Sequence, residues 1–386
     1  MFKAEELFQN ITDKNHPDET VLTIIQGKGT LPREQAGRNI HYDDASLSNY
    51  KKVEQGDFII HLRSFEGGLE MANEAGIVSP AYTILRCKRP HSSLFYDAYF
   101  HTDEFINHNL SKSVEGIRDG RQISYEAFKW LGIPYCESLE QEKISSLFSV
   151  LNERIAKQRD LVESLKKYKR GLSNSLFDRL SAGSESRLCI FGDMMTILQN
   201  NTFSRDNLSV GGNGVRNVHY GDVLIKYGAV LDLHSENVPV INAEQDISKF
   251  SALSYLRNGD VVFADTAEDY TVGKSTEIIG AENIAALSGL HTIPCRPQDS
   301  FAPMYLGYYF NSDYFKKQLY PMIQGTKVSS ISKSEIIKTK IIVPCLQEQA
   351  RIASIMSALD DRIDAAKHTT KDLIDLRSGL LQQLFI

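Results

Sequence analysis

The 386-residue sequence lacks most of what a membrane protein, a metalloprotein or a self-sufficient enzyme would carry. No run reaches the roughly 18 apolar residues of a membrane span. The opening residues have no apolar stretch bounded by a cleavage site, so no secretory signal is expected and a cytoplasmic setting is. Five cysteines, Cys87, Cys136, Cys189, Cys295 and Cys345, are scattered with no C-x-x-C pair, which argues against a zinc or redox site and for free thiols. The ten histidines contain no H-E-x-x-H. There is no Pro-Pro dipeptide, so the adenine methyltransferase signature, Asn or Asp followed by Pro-Pro and an aromatic residue, has nowhere to sit. Gly273-Lys274-Ser275 ends like a P-loop, but Glu268 occupies the place of its first glycine. Gly27 and Gly29 begin a G-x-G-x-x-G in which Pro32 replaces the last glycine. Basic residues are not in excess either: 43 Lys and Arg stand against 49 Asp and Glu, a net charge of −6.

What the chain does have is an internal repeat. Glu140-Gln141-Glu142-Lys143-Ile144 returns 208 positions later as Glu348-Gln349-Ala350-Arg351-Ile352. Leu151, Arg154 and Ile155 return as Leu359, Arg362 and Ile363, and Gly171-Leu172 with Leu176-Phe177 returns as Gly379-Leu380 with Leu384-Phe385. Upstream the likeness is weaker and its offset drifts. Tyr99-Phe100 before Phe105 is similar to Tyr309-Phe310 before Phe315, and Gln55-Gly56-Asp57-Phe58 to Asn258-Gly259-Asp260-Val261. Gly116-Ile117-Arg118 with Gln122-Ile123-Ser124 is similar to Gly325-Thr326-Lys327 with Ser330-Ile331-Ser332.

Each copy ends in a heptad pattern. Apolar residues of the first fall at Ile144, Phe148, Leu151, Ile155, Val162, Leu165, Leu172 and Leu176. Those of the second fall in the same phase at Ile352, Met356, Leu359, Ile363, Ala366, Leu373, Leu380 and Leu384. Pro134 and Pro344 stand just before the helices, where proline ends the preceding strand. A span of about 39 residues makes a rod of roughly 58 Å, and only the other copy is long enough to cover such a seam. The helices are therefore expected to run antiparallel. Lys169 and Arg377 interrupt the seam at equivalent places and are expected to fix register, the alternative being a contact to DNA or to a partner subunit.

The rest is mixed. Strands are expected at 20–25, 57–62, 81–86, 222–226, 261–264 and 290–294, with short helices around 97–109 and 304–320. Turn formers such as Gly27-Lys28-Gly29, Glu66-Gly67-Gly68 and Gly211-Gly212-Asn213-Gly214 separate them. The class is α+β: two mixed, strand-rich domains joined by two long antiparallel coiled-coil helices, with pseudo-twofold symmetry.

The repeated helix openings and endings and the repeated Gly-Asp-strand elements make the chain resemble the specificity subunit of type I restriction-modification enzymes. That resemblance implies target recognition domains at 1–137 and 179–345 and conserved helices at 138–178 and 346–386. It also implies that the two domains read the halves of a bipartite DNA site with a fixed spacer. The expected partners are double-stranded DNA, two methyltransferase subunits and a restriction and translocase subunit. The chain itself would hold no cofactor; S-adenosylmethionine for adenine N6 methylation, ATP and Mg would belong to the partners.

The charge balance tempers this reading. Residues 1–136 carry 15 basic and 19 acidic residues, and the helical stretch 137–170 carries 8 and 6. Affinity must come from a local groove and from partner subunits. Arg pairs with guanine and Asn or Gln with adenine in the major groove, which points to Arg63, Ser64, Lys112, Arg118, Arg121 and Gln122 in the first domain. In the second it points to Asn213, Arg216, Lys226, Tyr227, Lys274 and Lys327. The rival reading is a coiled-coil scaffold or adaptor that binds protein instead of DNA.

Overall fold

A computed structural model describes residues 1–36, 44–116, 121–183, 186–235, 238–269, 271–325 and 328–385. The chain divides into two compact units, Met1–Asp160 with Ala366–Ile386, and Leu161–Ala365. Each unit thus holds one mixed domain, part of the helix that follows it and part of the other long helix. No helix among the described residues is long and apolar enough to cross a membrane.

The first unit is built on a four-stranded antiparallel sheet in the order Phe8–Ile11, Thr83–Cys87, Phe58–Ile60, Glu70–Met71. A small hairpin, Leu22–Ile25 with Gly29–Pro32, and the pair Lys51–Val53 with Gly76–Val78 lie outside it. The helix Ser93–Phe100 buries Phe95, Tyr96, Tyr99 and Phe100 against Phe8 and Phe58.

In the second unit a five-stranded sheet runs Met195–Ile197, Thr292–Pro297, Val261–Ala264, Ser275–Ile279, Val230–Asp232, the last pair parallel. Its first four strands follow the same order as the four of the first unit. A second, four-stranded sheet joins Leu208–Ser209, Val240–Ile241, Arg216–Val218 and Ala286–Ser288.

The weak upstream repeat becomes plain in the hydrogen bonds. Buried Asp57 accepts two bonds from Arg86, at 2.8 and 2.7 Å, while its Oδ2 also caps the turn at the Glu54 amide. Buried Asp260 does the same with Arg296, at 2.9 and 2.7 Å, and with the Arg257 amide. The Gly-Asp-strand element is therefore a turn locked by a bidentate pair to the neighbouring strand. Ser124 and Ser332, 208 positions apart, each cap a short helix by accepting from Ala127 and Glu335 amides. The Tyr-Phe repeat closes alike too, with Phe100 and Phe105 rings 4.8 Å apart and Phe310 and Phe315 rings 4.7 Å apart.

The long helices span Ser138–Ala182 and Leu346–Leu384. In the first unit Phe148 stacks near Phe385 while Gln158 reaches the Ala366 carbonyl. In the second, Lys169 pairs with Asp360 and Arg179 with Glu348. Within each unit one helix advances as its partner recedes, so the pairing is antiparallel.

Most of the heptad residues are buried or half-buried. Leu384 is the exception: it is 41% exposed, whereas Leu381 and Phe385 are buried. The helix ends at Leu384, which frees Phe385 to enter the ring cluster of Phe95, Tyr99 and Phe148. Residues 222–226 are a second correction. Gly221-Asp222 imitates the Gly-Asp strand openings, but Tyr220–Ile225 is a helix. His219 accepts the Gly221 amide at its start, and buried Asp222 is held by Arg205 and Lys226 rather than by a neighbouring strand.

The helix openings have a shared physical role. Gln141 is fully buried; its Oε1 accepts the Ser92 amide at 2.9 Å and its Nε2 donates to the Cys136 carbonyl at 2.7 Å. Gln349 is buried likewise, accepting the Ala302 amide at 2.9 Å and donating to the Pro344 carbonyl at 2.8 Å. In each unit this one amide ties the start of a long helix both to the preceding chain and to the loop ahead of the aromatic helix.

Lys169 and Arg377 differ in their surroundings. Lys169 is satisfied by Asp360, whose other oxygen accepts the Tyr308 hydroxyl, and its ammonium lies over the Tyr308 ring. This pairing between the two helices is of the kind that a register-fixing residue makes. Arg377 lines a cavity of about 120 Å³ with Asp97, Ser145, Ser149 and Asn152, and its Nε is buried without a hydrogen-bond partner among the described residues. Burial raises the Asp97 carboxyl above its ordinary range despite His101 and Arg377 nearby.

Candidate nucleic-acid interface

In the first unit three segments meet at the surface. The hairpin Leu22–Ile25 to Gly29–Pro32 turns through Gln26-Gly27-Lys28, with Gly27 and Gly29 both at positive φ. The segment 61–68, which holds the helical turn Ser64–Gly67, comes against it: a Cβ on Gly67 would lie 1.9 Å from the Gln26 Nε2. Arg121, at the start of the strand Gln122–Ile123, lies over the Phe65 ring at 4.2 Å and 4.0 Å from Glu66. Lys28, Arg63, Lys112, Arg121 and Gln122 are exposed. Ser64 is not: it is fully buried, and its Oγ accepts the His61 amide, shaping the loop instead of facing solvent. Arg118 lies outside the described residues, beyond Gly116 at positive φ.

The hairpin turn is held from below. Glu70, 0% exposed, accepts the Gly27 amide on Oε1 at 2.6 Å and the Gly29 amide on Oε2 at 2.9 Å. Asn73 donates to the Lys28 and Thr30 carbonyls at 2.8 and 2.9 Å. His101 sits 3.3 Å from Glu70 Oε1. Burial pushes the Glu70 carboxyl up, but His101 and the two glycine amides outweigh it and hold the group below its ordinary range. His101 is burial-penalised as well, yet Glu70 and Asp97 raise it overall. These two groups stabilise each other's charged forms.

In the second unit the glycine-rich loop Gly211-Gly212-Asn213-Gly214 borders an open cleft of about 640 Å³ with Val215, Asn242, Glu244, Gln245 and Ile247. Asn213 is exposed there. Elsewhere Arg205 and Lys226 converge on buried Asp222, both with their charged ends partly in solvent. Tyr220 lies between the rings of His219, at 4.7 Å, and His291, at 5.3 Å.

Three residues named from the sequence are committed to the fold. Arg216 donates to the Ser235 and Val238 carbonyls at 3.0 and 3.1 Å. Lys274 donates to the Leu224 carbonyl at 2.8 Å, and burial lowers its ammonium from the ordinary value. Tyr227 is buried, its hydroxyl without a partner among the described residues. Lys327 lies outside the described residues. Lys28, Arg205 and Gln245 also lie at these surfaces and are not among the residues named from the sequence. Only Lys28 carried a usable signal, a cation flanked by two glycines between two apolar strands. No group of three or more His, Cys, Asp or Glu that could hold a metal is found among the described residues.

Residues 192–375 match the model of the type I restriction modification DNA specificity domain. Solved structures match over the whole chain. One is the HsdS subunit from Thermoanaerobacter tengcongensis, at 19% identity and TM-score 0.52, covering 100% of this chain and 95% of that one. A second, from work titled as the structural basis of complex assembly and conformational transition of the type I R-M system, matches at 19% identity and TM-score 0.61, covering 100% and 96%. The S subunit of a type I restriction-modification system from M. genitalium matches at 14% identity and TM-score 0.55, covering 100% and 95%. No curated protein sequence matches significantly. The family match thus covers a little under half of the chain, 192–375, and the whole chain has the fold of the solved specificity subunits.

Proposed function

We propose that the two recognition domains each read one half of a bipartite DNA site, and that the paired helices keep the two halves at one spacing. The observation that carries this reading is the contrast between anchoring and surface. The anchors repeat residue for residue: Gln141 and Gln349, Asp57–Arg86 and Asp260–Arg296, Ser124 and Ser332. The exposed faces do not repeat: the first unit carries a cationic hairpin and loop, the second an amide-lined cleft beside a glycine-rich loop. Such a pattern fits two readers of different base sequence on one scaffold.

The readers proposed are Arg63, Lys112, Arg118, Arg121 and Gln122 for the first half-site, and Asn213, Lys226 and Lys327 for the second. Methyltransferase and translocase subunits would supply S-adenosylmethionine, ATP, Mg and much of the phosphate contact, since the chain is acidic overall. A setting in the cytoplasm with the genomic DNA follows from the same reading. Replacing residues 1–137 by the first recognition domain of another specificity subunit, co-expressed with the methyltransferase, should change one half of the methylated motif and leave the other. A change in both halves, or in neither, would contradict the division of labour.

A further inference from the structure

The hairpin Gln26-Gly27-Lys28-Gly29 of the first unit is held in a way that its own stability does not require. A two-stranded hairpin at a domain surface can close on its backbone bonds alone, as the Lys28 amide to Ile25 carbonyl bond at 2.9 Å already does here. This one adds a fully buried carboxylate whose two oxygens each take one glycine amide, and an asparagine whose amide takes the carbonyls on either side. Burying a charge is costly unless it is paired and bonded, and Glu70 is spent on a surface turn instead of on the core.

The turn has almost no freedom left. Gly29 sits at φ +77, and a Cβ there would lie 2.6 Å from the Met71 carbonyl oxygen, so no other residue fits without displacing the strand behind. What all this fixes in space is the backbone of Lys28, the exposed residue at the apex, and so the point from which its side chain starts. No ion pair engages its ammonium among the described residues. Beside the turn lies the segment that carries Phe65 and Gly67, with Arg121 over the Phe65 ring. A lysine left to hold phosphate by charge alone needs no such mounting, because a flexible point charge serves. Reading a base edge does need it, since the donor must meet fixed acceptors.

We infer that Lys28 is a specificity-determining residue of the first recognition domain, donating to the major-groove acceptors of a guanine, with Glu70 as the residue that positions it. The inference rests on the DNA-reading function proposed above. Lysine offers donors only, and guanine presents two adjacent major-groove acceptors, O6 and N7, which is the best match for it.

The test is the methylated motif of the chain co-expressed with its methyltransferase, read by single-molecule sequencing. Lys28→Ala should relax one guanine position of one half-site to near-equal use of all four bases, with the other half-site unchanged as the control for folding. Lys28→Arg should keep the guanine. Glu70→Gln, which keeps the shape but leaves one of the glycine amides without its oxygen, should relax the same position in part. A motif unaltered by Lys28→Ala, or uniformly weaker methylation at an unaltered motif, would overturn the role assigned to Lys28 while leaving bipartite recognition intact. If the unsubstituted chain directed no bipartite methylation, the underlying reading would fall with it.

Discussion

Removing the buried Gln349 amide should loosen the second unit at one identifiable place. Its Oε1 takes the Ala302 amide and its Nε2 gives to the Pro344 carbonyl, with the side chain 1% exposed. Gln349→Met keeps the length and most of the volume but none of the polar atoms, so two buried backbone groups lose their partners. Each such group costs about 1–3 kcal/mol, which places the loss at about 2–6 kcal/mol against a domain stability of about 5–15 kcal/mol. Chemical denaturation should show the midpoint falling accordingly. Amide hydrogen exchange gives the local reading: if about 2 kcal/mol of the loss falls on the Ala302 N–H, its exchange quickens about 30-fold. Gln141→Met should do the same to the Ser92 amide. Unchanged exchange at Ala302 in a variant whose midpoint has dropped would show that Gln349 acts by packing alone. An unchanged midpoint as well would refute the reasoning.

Two further outcomes follow from particular groups. Burial pushes the Glu277 carboxyl up to about 7 from an ordinary 4.5, in spite of the Met304 and Gly307 amides bonded to it. A carboxyl raised in the folded state keeps its proton while the unfolded chain loses it. The second unit should therefore lose about 3 kcal/mol of stability as the pH climbs from about 4.5 to about 7, then level off. In Glu277→Gln that slope should vanish, whatever the absolute stability, and a retained slope in denaturation curves would assign it to another group. At the end of the second helix, Leu384→Gln should shift stability by under about 0.5 kcal/mol, while Phe385→Ala should cost about 3–5 kcal/mol. A larger loss from the Leu384 variant would restore it to the seam.

The helices were legible because a 3.5-residue apolar repeat over several heptads has one structural solution, and because a duplicate in the same phase names its partner. The Gly-Asp strand openings were visible as repeats, yet the arginines that explain them were not. Arg86 and Arg296 follow their aspartates by 29 and 36 residues, separations that only the strand pairing brings together. The strand expected at 222–226 is instead a helix turn, favoured by capping from His219 and by the pull of Arg205 and Lys226 on Asp222. At the end of the seam, phase alone favoured Leu384, but the aromatic cluster captures Phe385.

The reading surfaces were the least legible part. Choosing Arg, Lys, Asn and Gln from loops selects exposed residues such as Arg63 and Asn213 along with residues such as Arg216 and Lys274 that satisfy carbonyls of their own fold. Chemistry of the side chain is the same in both cases, and only the fold decides whether its donors remain available. For Lys28 the sequence offers only the flanking glycines; what sets it apart, Glu70 and Asn73 beneath it, lies more than 40 residues away in sequence.

The claim that this chain reads a two-part DNA sequence is tested most directly by the adenine methylation pattern that it directs with its methyltransferase partner in a host free of other such systems. Two specified half-sites separated by a constant unspecified spacer are the predicted result. A single continuous motif, or methylation without sequence preference, would contradict it.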